Sequence, residues 1–147
     1  MNETKYLVDN NALVVLKGSG IRSEFFRTHC RVTADVLWEA NENPEQAVLA
    51  RIANDFTPEL LEQIRVVMKT VDVGDTGLVD LYRNMGTADP GLVASVLNAM
   101  AADDGKFFSD TWVLVTNDNA VAAKAAEFGV ITIKPDELAR LINNSTE

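Results

Sequence analysis

A chain of 147 residues with a net charge of −9, 47% hydrophobic and 24% charged, has the length and balance of one globular domain with a real core. A single cysteine, Cys30, excludes an internal disulfide, and with His29 as the one histidine a zinc site of the Cys/His kind lacks its ligands. No apolar run approaches the roughly 20 residues of a membrane-spanning helix, and MNETKYLVDNN is not a signal peptide, so a cytoplasmic protein without membrane contact is expected.

The predicted elements alternate. Tyr6-Leu7-Val8 is a short apolar strand that ends in Asp9. A helix capped by Asn10 or Asn11 runs to Leu16, after which Gly18 and Gly20 loosen the chain. Thr33 caps a helix through ADVLWEA, Pro44 fits the first turn of one reaching about Asn54, and Thr57-Pro58-Glu59 opens one reaching about Lys69. Val71-Asp72-Val73, closed by Gly74, is the candidate second strand, and a helix over Gly77 to Met85 stops at Gly86. Asp89-Pro90 opens a helix with Val93, Val96, Leu97 and Met100 at helical spacing. Trp112 to Val115 is a buried strand, Asn119 to Phe128 a helix ended by Gly129, and Val130 to Ile133 the last strand. Pro135-Asp136-Glu137 opens a C-terminal helix. Strands separated by helices imply right-handed crossovers and a parallel sheet covered on both faces. The expectation is an α/β fold, one domain over residues 1–147, with three α/β/α layers and four to five strands.

In such folds ligands bind beyond the carboxyl ends of the strands. Asp9 and Asp118 follow strands, whereas Glu39 and Asp89 lie in or at the head of helices. Four acids meeting on one rim repel each other unless a divalent cation neutralises them, and hard cations such as Mg²⁺ or Mn²⁺ take carboxylate oxygens. Each acid also has a plainer use: Asp9, Asp89 and Asp118 can cap helices and Glu39 can sit in solvent.

The motifs carrying these acids resemble those of the PIN-domain nucleases. YLVDNNALVVL is similar to their opening strand and acid, VTADVLWEA to the helical Glu, TADPGLVASVL to the Asp that opens a helix, and WVLVTNDNAV to the strand ending in Thr, one residue, Asp. AAEFGVITIKPDELARLI resembles the close of the domain. The resemblance implies a hydrolase: an endoribonuclease dependent on Mg²⁺ or Mn²⁺, with Asp9, Glu39, Asp89 and Asp118 as metal-binding catalytic acids and Asn11 and Thr116 supporting them. At this length it further implies the toxin of a toxin–antitoxin pair, a homodimer held by a small basic antitoxin. The acids Asp103, Asp104 and Asp110 between Ala101 and Thr111 offer an alternative ligand.

Charge is uneven. Between Lys17 and Arg31 four cations stand against Glu24 alone, a local +3 that leaves −12 on the rest. That stretch is either a solvated segment or a phosphate-binding flank. Arg22, Arg27, Arg31 and, elsewhere, Arg83 are the candidate substrate contacts. Phe25 and Phe26 are expected to pack rather than stack on bases, and His29 and Cys30 to have no catalytic role. Two rivals remain: a receiver-like signalling domain with Asp72 as phosphoacceptor served by Thr116 and Lys134, and an inactive PIN-like binding module.

Overall fold

The apolar run that ends in Asp9 forms β1 (Thr4–Val8), the centre of a sheet in a computed structural model that describes residues 3–71, 89–103 and 109–145, with only the backbone of residue 89. On one side β1 pairs in parallel with β2 (Cys30–Arg31), and on the other with β3 (Thr111–Val115), which pairs in parallel with β4 (Ile131–Ile133). The described residues form one four-stranded sheet of order β2-β1-β3-β4. Its central strands read as apolar runs because both of their faces are covered; Leu7, Val8, Leu114 and Val115 are fully buried.

The helices form where capping side chains satisfy their first N–H groups. Asp9 caps α1 (Asn10–Ile21), Ser23 caps α2 (Glu24–His29), Thr33 caps α3 (Ala34–Glu39) and Thr57 caps α5 (Pro58–Met68), each side chain accepting a main-chain N–H. Asp118 does the same for α7 (Asn119–Glu127), which ends before Gly129 at φ 74°. Between them lie α4 (Gln46–Arg51), α6 (Asp89–Asp103) and, at the end, α8 (Pro135–Ser145). Helices α1, α2 and α8 pack together on one side, and α5, α6 and α7 on the other. Right-handed crossovers require this division, because the excursions from β1 to β2 and from β3 to β4 leave the centre in opposite directions. The result is the expected three-layer α/β/α fold.

The structure has a strand that the sequence pattern did not offer, and the expected one at 71–73 falls almost wholly outside the described residues. Val71 lies outside any strand, and Asp72, Val73 and the predicted 77–85 helix fall beyond the described residues. The strand beside β1 is Cys30–Arg31, in register Tyr6 to Cys30 and Leu7 to Arg31. The 17–31 stretch is therefore more than a solvated segment: Phe26 and Cys30 are fully buried in it. Burial pushes the Cys30 thiol up to about 12, so it stays protonated and inert. His29 lies against Phe25 with ring centroids 4.8 Å apart. Two further differences are local. The helix expected from Pro44 to about Asn54 spans only Gln46–Arg51, and its N-cap residue, Glu45, makes no side-chain capping bond. The first helix continues to Ile21 after a break at Lys17, whose φ of 60° and ψ of 176° lie in a region that favours glycine.

Candidate active site at the carboxyl ends of the strands

The order β2-β1-β3-β4 places a topological switch between β1 and β3, the position where open α/β sheets bind ligands. Three of the buried polar residues stand at that end of the sheet: Asp9 after β1, Thr33 after β2 and Thr116 after β3. The register aligns them, since Leu7 faces Arg31 and Val8 faces Val115. The main chain locks the rim: the Asp9 N–H donates to the Val115 carbonyl at 3.0 Å, and the Thr116 N–H to the Ile133 carbonyl at 3.2 Å.

Asp9 is the centre of this rim and is only 6% exposed. Its Oδ1 accepts the Asn10 N–H at 2.6 Å and its Oδ2 accepts the Thr116 hydroxyl at 2.9 Å. The Thr116 Oγ1 in turn accepts the Asp118 N–H at 3.1 Å, so one hydroxyl ties the first acid to the loop carrying the last. Asp118 Oδ1 accepts the Ala120 and Val121 N–H groups at 2.9 and 3.2 Å. The capping use and the site use of Asp118 thus coexist on one carboxylate.

Burial raises the Asp9 pKa above the usual carboxylate value of 3.8; the Thr116 bond and the Asn10 and Asn11 N–H groups oppose it, and repulsion from Asp118 adds to it. Asn11 supports the acid through its main-chain N–H, while its residue surface is exposed. Glu39 is exposed as a residue, yet desolvation of its carboxyl, then repulsion from Asp9 and from Asp35, raises its pKa. Asp35, Glu39, Asp9 and Asp118 therefore form a string of carboxylates in which Asp35 and Asp9 disfavour the charge on Glu39 and Asp118 disfavours that on Asp9. Among the described residues none of the four has a Lys or Arg ion-pair partner.

Asp35 was missed as a candidate. The signal was present: it precedes Glu39 by four residues on a helix, a spacing that puts both on one face. The same residue locates the third motif. A Cβ on Gly91 would stand 3.6 Å from Asp35 Oδ2, so the first turn of α6, which begins at Asp89, abuts the acidic face of α3. The Asp89 side chain itself, like Arg83 and Asp72, lies outside the described residues.

Of the alternative ligands in the 101–111 segment, Asp103 and Asp110 are at the wrong end of the sheet. Asp103 Oδ2 accepts the Asp110 N–H at 3.2 Å and the Trp112 indole N–H at 3.4 Å, and Asp110 Oδ1 accepts the Glu3 N–H at 3.2 Å, all at the amino ends of β1 and β3. Asp104 lies outside the described residues. The candidate arginines also separate. Arg22 pairs with Glu45, whereas Arg27 and Arg31 line a different cleft. Lys134 follows β4 and is exposed.

The donor set fits a hard divalent cation in kind, being carboxylate oxygens with uncompensated charge. Among the described residues no three acidic, histidine or cysteine side chains are close enough to hold a metal between them. Mg²⁺ and its like need no such cage, since they keep several waters and bind through one or two carboxylates. Thr116→Val removes the bond that orients Asp9 while keeping the side chain's shape. Loss of such a supporting bond costs roughly 10–100-fold in metal affinity, measurable by Mn²⁺ titration of the variant; an unchanged affinity would separate Thr116 from the site. Among known proteins, no family model matches the chain and no curated protein is significantly similar to it.

Proposed function

We propose that this protein is a metal-dependent endoribonuclease of the PIN type, hydrolysing phosphodiester bonds of RNA with Mg²⁺ or Mn²⁺. The observation that carries the reading is Asp9: a buried carboxylate at the switch point, hydrogen-bonded through both oxygens and repelled by Asp118 as Glu39 is repelled by it. A structural acid in that position would be expected to have a cationic partner; these acids share none among the described residues. Asp9, Glu39 and Asp118, with Asp89 from the head of α6, are the residues that would hold the cation. When bound, the cation supplies charge neutralisation at phosphate oxygens and a water acidified enough to attack phosphorus. The protein's own part is positional. Thr116 and the Asn10 and Asn11 N–H groups hold the Asp9 carboxylate in place, and the α7 cap holds Asp118 beside it.

The toxin role, the homodimer and the small basic antitoxin belong to the same proposal. They are supported by the exposed apolar residues Val14 on α1 and Trp38 on α3, 75% and 76% exposed, on two helices that touch each other beside the acidic rim. The test is incubation of purified protein with single-stranded RNA in Mn²⁺ and in EDTA, read on a denaturing gel. Cleavage that needs the cation and leaves 5′-phosphate ends is expected. Cleavage that proceeds in EDTA, or no cleavage of any RNA by the partner-free protein, would overturn the reading.

A further inference from the structure

The acidic rim leaves a problem that any polyanionic substrate must face: a chain of charge −9 repels nucleic acid at long range. Something local has to hold the strand. A cleft of about 330 Å³ lies at the β2 edge, where Arg27 from α2, Arg31 from β2 and Arg51 from α4 meet Asn54 over Val48 and Ile52. Among the described residues no acidic side chain lines it. Among the described residues none of its three guanidinium groups is in an ion pair. Arg31 is steadied by a 2.8 Å bond from its Nη1 to the Cys30 carbonyl. The cleft is built by tertiary structure: the Val32–Ala53 bridge, with Asn54 N–H donating to the Val32 carbonyl at 2.8 Å, brings the end of α4 against β2.

We propose that this cleft binds a phosphate of single-stranded nucleic acid, at a position away from the phosphate that is cut. Arginine forks match phosphate oxygens in pairs and are weakly hydrated, so three of them around one small cleft select phosphate strongly. The location suits a strand that also reaches the acids. Arg31 faces Leu7, two residues before Asp9, and strand geometry sets its backbone roughly 8 Å from that of Asp9. The choice of nucleic acid over other anions rests on the ribonuclease reading; the cationic cleft does not. Arg27 and Arg31 come from the basic stretch seen in the sequence, whereas Arg51 is recruited from an otherwise unremarkable helix end.

The experiment is binding of a fluorescein-labelled single-stranded oligoribonucleotide in EDTA, so that no cleavage intervenes, across a salt series. Arg27 and Arg51 are exposed, so the Arg27→Ala/Arg51→Ala protein should fold, as a circular dichroism melt will verify. It is expected to bind at least about tenfold more weakly, with the slope of log K against log salt smaller by roughly 0.7, the change for one lost phosphate contact. Inorganic phosphate is expected to compete in the wild-type protein and not in the variant. Unchanged affinity and slope in the variant would overturn the cleft while leaving the nuclease reading untouched. Oligoglutamate binding as tightly as RNA would overturn the nucleic-acid assignment in favour of an acidic protein segment. RNA held through these arginines by a protein that never cleaves it in Mn²⁺ would support the cleft and end the nuclease reading.

Discussion

Asp9→Asn is expected to lose cleavage by on the order of 10²–10³-fold while making the protein more stable. The two effects have one cause. Asp9 is buried, both its oxygens accept hydrogen bonds, and burial raises its pKa. Asparagine keeps the shape and caps helices as well as aspartate does, so α1 should start unchanged. What disappears is the charge, and with it the ligand; the several kcal/mol that such a centre contributes at the phosphate corresponds to that loss in rate. The stability effect follows from linkage. An acid whose folded pKa lies above its unfolded value costs the native state nothing below the unfolded value, and the cost develops as pH rises through the folded value. The buried Asp9 therefore destabilises the fold above the usual carboxylate range, and its replacement should raise Tm there, by roughly 2–4 °C for each kcal/mol released. The difference between the two proteins should shrink as pH falls into the carboxylate range. Full cleavage by Asp9→Asn would reduce Asp9 to a helix cap and remove the foundation of the site.

The fold was legible because its signals are local. Thr33, Thr57 and Asp118 cap helices within the residues that announce them, Asp9 takes the capping place expected of Asn10 or Asn11, and the apolar runs that end in LVTND and YLVDN are strands. The strand at Cys30–Arg31 was not legible. It is two residues long, follows Thr28-His29, contains an arginine and sits at the sheet edge, so no period of two can emerge from it. Val71-Asp72-Val73 has the right alternation, but Asp72 and Val73 lie outside the described residues. The four motif acids were readable by type, and the structure brings Glu39 and Asp118 each within electrostatic reach of Asp9. Asp35 and Arg51 were not, because each acquires its meaning from a partner distant in sequence: Asp35 from Gly91 at the head of α6, and Arg51 from the bridge at Val32. Arg22 shows the converse. It looked like part of a basic patch until Glu45, 23 residues on, occupied it.

Mn²⁺ at about 100 times its dissociation constant is expected to stabilise the wild-type fold by about 2.7 kcal/mol, a Tm increase of roughly 5–10 °C, and removal with EDTA to reverse it. The carboxylates of the string repel one another with no cation among the described residues to relieve them, so the native state gains from a cation that the unfolded chain cannot bind in the same way. Asp9 and Glu39 must both be ionised to accept it, and both have raised pKa values. Binding therefore competes with protons, and the Mn²⁺-induced rise in Tm should fade on acidification from a pH above the usual carboxylate range. Asp35 gives this a sharper form. It acts on Glu39 through charge, so Asp35→Asn should lower the Glu39 pKa and move the fade to lower pH, with little change in the rise at neutral pH. A fade at the same pH in Asp35→Asn would disconnect α3 from the cation. An equal Mn²⁺ response in wild type and Asp9→Asn would place any bound ion elsewhere on this acidic surface, because the innermost member of the string would then contribute nothing to holding it.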